Sequence, residues 1–103
     1  MTSQVKPPEE CLDMRDVRDG VDHIDREIVA LLARRFGYMR AAARIKTERG
    51  AVRDEARKAE VIEQVARMAR DQDLPDAVIA RIWDALVESS IAYELAEWDR
   101  LRS

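Results

Sequence analysis

The stretch LDMRDVRDGVDHIDREIVALLARRFGYMRAAARIKTER, residues 12–49, decides how this chain folds. Apolar side chains recur in it at Met14, Val17, Val21, Ile24, Ile28, Leu31, Leu32, Phe36 and Met39, and the row continues through Ala42 and Ile45. That is helical spacing, not strand spacing. The stretch holds no proline. Its two glycines, Gly20 and Gly37, are isolated, and each costs a helix only about 1 kcal/mol relative to alanine. At ~1.5 Å per residue such a helix would be roughly 55 Å long, about twice the width of a compact domain of this size. Most of its apolar stripe lies beyond the reach of its own chain, so a partner molecule is the expected cover.

Outward from that helix, the composition points the same way. The 103 residues suffice for one domain, 47% of them are hydrophobic, 38% are charged and aromatics are scarce, which together predict an all-helical protein with charged outer faces. A net charge of -3 and a pI near 5.2 argue against nucleic acid or an anionic membrane as partner. Any anion must then be met by a local cluster of cations. Cys11 stands alone and closes no disulfide within the chain. No apolar run approaches a membrane span, and residues 1–10 are polar with two prolines, unlike a signal peptide. The expectation is a cytoplasmic protein whose residues 1–11 form a loose lead-in to a helical domain over 12–103.

Gly50 suits the C-terminal stop of the first helix, with a short loop through Ala51, Val52 and Arg53 to follow. Asp54 is a good N-cap for a second helix over Glu55–Asp71, with Val61, Ile62, Val65 and either Met68 or Ala69 facing inward. Pro75 suits the first turn of a third helix carrying Val78, Ile79, Ile82, Trp83, Leu86, Val87, Ile91, Leu95 and Trp98. The layout is a long helix, a short one and another long one.

Several charges occupy positions that this pattern reserves for apolar side chains. Arg35 lies one heptad after Ile28, and Lys46 one heptad after Met39. The two are eleven positions apart, so they point the same way with roughly 17 Å between their Cα atoms and could reach one small anion from opposite ends. In the third helix the row Leu86, Ser90, Glu94 turns polar within an apolar face. Buried ionic groups are costly unless paired or employed, so Glu94 either neutralises Lys46 or Arg35 inside a bundle or belongs to a site. Arg18 is roughly 26 Å from Arg35 along the same helix, too far for one small metabolite. In an antiparallel dimer of the long helix, Arg18 of one copy would come alongside Arg35 and Lys46 of the other. Arg57, in the first turn of the second helix, adds a cation close to backbone N–H groups that also favour an anion.

These residues resemble the all-helical chorismate mutases, including the related isochorismate pyruvate lyases of salicylate synthesis. The likeness is carried by Val17-Arg18-Asp19-Gly20-Val21-Asp22-His23-Ile24-Asp25, Leu31-Leu32-Ala33-Arg34-Arg35, Ile45-Lys46, Val52-Arg53-Asp54 with Arg57, and Ser90 with Glu94. It implies an intertwined homodimer of three-helix protomers with two shared active sites and a small dicarboxylate substrate. Arg35 and the partner's Arg18 would then grip the substrate carboxylates, and Lys46 would donate to the ether oxygen and a nearby carboxylate. Arg57 and the backbone beside Asp54 would form another wall, Ser90 would sit near a carboxylate, and Glu94 would face the ether oxygen opposite Lys46. Asp25 matches a recurrent acid whose expected role is structural pairing, and His23 is expected to be an exposed helical histidine.

Two positions depart from the mutase pattern. Glu94 stands where mutases often carry glutamine, and Lys58 where they carry glutamate after the arginine. Lysine cannot accept the substrate hydroxyl proton as a carboxylate does, so that contact is absent or is supplied otherwise; Lys58 itself is expected to point to solvent. The implied rearrangement of chorismate to prephenate is pericyclic and calls for no cofactor, metal or nucleophile; it needs restraint of the enolpyruvyl arm and stabilisation of charge on the ether oxygen. Two alternatives stay open. The lead-in Pro8-Glu9-Glu10-Cys11, the short loop between Lys46 and Arg57, and Trp98 resemble the lyases, whereas Ser90 and Val52-Arg53-Asp54 resemble the mutases. A non-catalytic helical dimer whose inward charges merely pair is the third reading.

Overall fold

The computed structural model describes residues 5–103 and is all-helical, with no strand among the described residues. A 3-10 turn at Pro8–Glu10 precedes three helices, α1 (Met14–Ile45), α2 (Glu55–Asp71) and α3 (Asp76–Leu101); a second 3-10 turn at Arg49–Ala51 joins α1 to α2, and a tight turn joins α2 to α3. The described residues form two compact units, divided between Arg35 and Phe36. The expectation of a loose lead-in falls partly on residues 1–4, which lie outside the described residues.

In the first unit, Asp13 caps α1 by accepting the Asp16 N–H at 2.9 Å, and Asp16 in turn accepts the Leu12 N–H and the Lys6 ammonium, each at 3.0 Å. The Leu12 N–H, followed by Lys6, holds the Asp16 carboxyl below its usual range. Beyond this start, Val17, Val21, Ile24, Ile28 and Leu31 form the apolar row read from the sequence. They stay exposed, from 38% at Val17 to 58% at Leu31. A recess of about 620 Å³ lies between the lead-in and this row, walled chiefly by Val5, Pro7, Pro8, Val17, Val21 and Ile24. His23 is half-exposed and pairs with Glu27 one turn on, at 2.6 Å, as a surface histidine would.

The second unit is built around α3. Val52, Val87 and Ile91 are buried together, with Val61, Trp83, Leu95 and Trp98 packed on them. Burying each of the larger aliphatic side chains stabilises the fold by about 1.5–3 kcal/mol. On α2, Val65 and Ala69 are buried, Val61 and Ile62 are half-buried, and Met68 is exposed. The bounds of α2 coincide with those read from the sequence, and Asp54 caps it by accepting the Arg57 N–H at 3.0 Å. Pro75 is the N-cap of α3, one place before its first turn.

Two helix ends differ from expectation or add to it. α1 stops at Ile45, not near residue 49, and Gly50 is not a left-handed stop, because it lies in the 3-10 turn and no described glycine has positive φ. The carbonyls left open at the end of α1 are taken by the end of α3 and its C-cap residue: Arg102 donates to Ala43 O at 3.1 Å and to Lys46 O at 2.7 Å, and the Trp98 indole N–H donates to Lys46 O at 3.0 Å. Asp73 closes α2 in the left-handed region, with φ of 56°. Leu74 N–H then reaches Ala69 O at 2.8 Å and Asp73 N–H reaches Arg70 O at 3.1 Å, a Schellman pattern with aspartate in the place usually held by glycine.

Candidate active site

At the centre of the candidate site is an ion pair. Lys46, the first residue past α1, keeps the helical hydrogen bond from its N–H to Ala42 O at 2.9 Å. Its ammonium lies 2.8 Å from Oε2 of Glu94. Glu94 is only 4% exposed and Ser90, one turn earlier on α3, only 3%. The Ser90 hydroxyl donates to Leu86 O at 2.7 Å. The polar row Leu86, Ser90, Glu94 therefore does point inward, and one cation of the long helix meets it. A carboxylate this well shielded needs a cation or a proton, because an unpaired buried charge is strongly destabilising.

The remaining residues are placed as follows. Arg57 offers its backbone N–H to Asp54, while its exposed guanidinium pairs with Glu60 on the next turn. Arg18 is exposed and Arg35 half-buried, both in the first unit. Asp25 has no ion-pair partner within 4.0 Å among the described residues, and it lines the recess beside the lead-in. The structure thus brings Lys46 and Glu94 together, with Ser90 beside Glu94. Among the described residues Arg18 has no ion pair, and the ion pair of Arg57 lies along its own helix.

Lys58 corrects an expectation. Its ammonium does not point to solvent but lies 2.8 Å from Glu88 Oε2 and 3.0 Å from Asp84 Oδ1, both on α3. Arg53 joins the cluster, bonding Glu88 through both terminal nitrogens, at 2.7 and 3.1 Å, and Glu55 at 2.6 Å. The Arg53 and Lys58 hydrogen bonds pull the Glu88 carboxyl down to about 2, and Glu88, then Asp84, raise Lys58. This network ties the start of α2 to α3. Sequence reading missed Glu88 and Asp84, as well as Trp98 and Arg102 in their role at the end of α1. A signal existed, since Trp98 and Arg102 follow Glu94 at successive four-residue steps.

Among the described residues no group of His, Cys, Asp and Glu could hold a metal ion, and no helix is long and apolar enough to cross a membrane. The family model described as chorismate mutase type II matches residues 17–95. The chain belongs to the chorismate mutase type II family. It is also similar to the isochorismate pyruvate lyase of Pseudomonas aeruginosa, with 31% identity over 98 residues, 95% of this chain and 97% of that protein.

Proposed function

We propose that this protein is a chorismate mutase that rearranges chorismate to prephenate. The observation that carries the reading is the Lys46–Glu94 pair, 2.8 Å apart, with a nearly fully shielded carboxylate beside the buried Ser90. The rearrangement forms one C–C bond as one C–O bond breaks, with no proton transferred to carbon. Catalysis then comes from holding the reactive conformer and from countering negative charge on the ether oxygen. Lys46 donates to that oxygen and to a neighbouring carboxylate. Glu94 assists from the other side when protonated, and opposes the developing charge when ionised. Arg35 holds one substrate carboxylate, Ser90 lies near a carboxylate, and Arg57 with the backbone at Asp54 lines the remaining wall.

The second substrate carboxylate falls to Arg18 of a second copy. An antiparallel homodimer covers the exposed row Val17, Val21, Ile24, Ile28 and Leu31, and it brings Arg18 beside the partner's Arg35 and Lys46, so that each of two sites draws on both chains. Mixing inactive Arg18→Ala and Lys46→Ala proteins after unfolding and refolding then restores up to about a quarter of wild-type activity, because half of the dimers are mixed and each carries one intact site. Activity no higher than that of the separate variants refutes shared sites.

Elimination of pyruvate from isochorismate is the second reading, favoured by the near full-length similarity to the Pseudomonas aeruginosa lyase. The same cations would serve it. Purified protein is given chorismate and isochorismate in separate reactions, scoring prephenate in one and salicylate plus pyruvate in the other. Prephenate as the faster product, lost with Lys46→Ala, supports the mutase. Salicylate as the faster product moves the protein to the lyase, and silence in both leaves a helical module without catalysis or one that needs an activating partner enzyme.

A further inference from the structure

The last turn of α3 grips the residue that carries the site's central cation. Lys46 is held at both ends by one side of α3 and its C-cap residue: its ammonium by Glu94, and its carbonyl by the Trp98 indole at 3.0 Å and the Arg102 guanidinium at 2.7 Å. Glu94 and Trp98 lie four residues apart on one face of α3, and Arg102, the C-cap residue four positions further on, continues the row just past the end of the helix. Arg102 also donates to Ala43 O, at 3.1 Å, and its guanidinium lies 4.1 Å from the centre of the Trp98 ring, so each side chain fixes the other. Beside them Arg49 closes on Asp99 with two hydrogen bonds, at 2.9 and 3.1 Å, anchoring the turn after Lys46 to the same end of α3.

Helix ends fray because their final carbonyls have no partner within the helix. Lys46 sits at such an end, past the last helical residue, with a flexible four-carbon stem. A substrate that draws the ammonium from Glu94 removes one of its two anchors. The carbonyl clamp is the anchor that remains. We infer that Trp98 and Arg102 are positioning residues which hold the Lys46 backbone in place, so that the ammonium can transfer from Glu94 to substrate without the end of α1 unwinding. This inference rests on the mutase reading for its catalytic part only.

The test uses Trp98→Phe, which keeps an aromatic ring in the core but removes the N–H, and Arg102→Gln, singly and together. Without substrate, hydrogen exchange at the Ile45 and Lys46 amides is expected to quicken at least about tenfold in the double variant, with the middle of α2 unchanged. In turnover of chorismate, kcat is expected to fall about 10- to 100-fold while KM moves less than about threefold, and Arg102→Lys recovers part of the loss. Unchanged exchange at Ile45 and Lys46 overturns the clamp. Faster exchange with kcat intact overturns the positioning role and leaves a cap for stability alone. Wild-type protein inactive on both chorismate and isochorismate defeats the mutase reading instead, and the exchange arm still decides the clamp.

Discussion

Replacing Glu94 by glutamine separates two roles for the shielded carboxylate. The pair distance of 2.8 Å puts an ionised Glu94 next to any oxygen that Lys46 serves. About half a charge growing on the ether oxygen at ~4 Å from the carboxylate, with an effective dielectric constant of about 20, gives a repulsion of about 2 kcal/mol, or roughly 30-fold in rate. Glu94→Gln removes that repulsion and supplies an amide N–H, while its amide oxygen still accepts from Lys46. The variant is therefore expected to outpace the wild type by up to about 30-fold. Initial rates of chorismate loss for the two proteins, at one fixed pH and saturating substrate, provide the assay. A thermal melt at one fixed protein concentration checks folding, with a loss of about 1 kcal/mol expected, or about 4–8 °C. Equal rates for the two proteins, or a slower variant, would show that the charge on Glu94 does not oppose the reaction.

Lys46→Ala leaves the Glu94 carboxylate without its cation; it is expected to cost about 2–4 kcal/mol by denaturant titration, with much of that regained in Lys46→Ala/Glu94→Gln. Its kcat/KM should fall at least about 100-fold, the size of effect typical for removal of one donor to a developing oxyanion. Asp73→Gly relieves the left-handed backbone at 56° and is expected to raise stability by about 0.5–1 kcal/mol, read as an increase in melting temperature. The Glu88 network has a definite acid limit. Its folded carboxyl is pulled from 4.5 to about 2, so its contribution is complete above 4.5 and is lost as pH falls from there through about 2. Glu88→Gln should flatten the fall in melting temperature over that window, and an unchanged slope would count against the network.

What the amino-acid sequence determined by itself is everything that depends on neighbours a few residues away. The period of apolar residues defines three helices, and Asp54 marks the start of α2 because a cap acts on an N–H only three residues on. The heptad positions of Lys46 and the row Leu86, Ser90, Glu94 were legible as inward charges, and pairing of Glu94 with Lys46 or Arg35 was one of the readings they allowed. Tertiary structure alone decided which cation Glu94 meets, since Lys46 lies 48 positions away. It also decided where α1 ends, because the carbonyls of Ala43 and Lys46 are satisfied by side chains of the end of α3 and its C-cap residue more than 50 residues on, not by a local glycine. Lys58 turned from solvent to α3 for the same reason: its partners Asp84 and Glu88 come close only after α2 folds back on α3. Val52 is a loop residue in sequence yet a core residue in space, because burial depends on how helices assemble and hydrophobic period does not report it outside a helix.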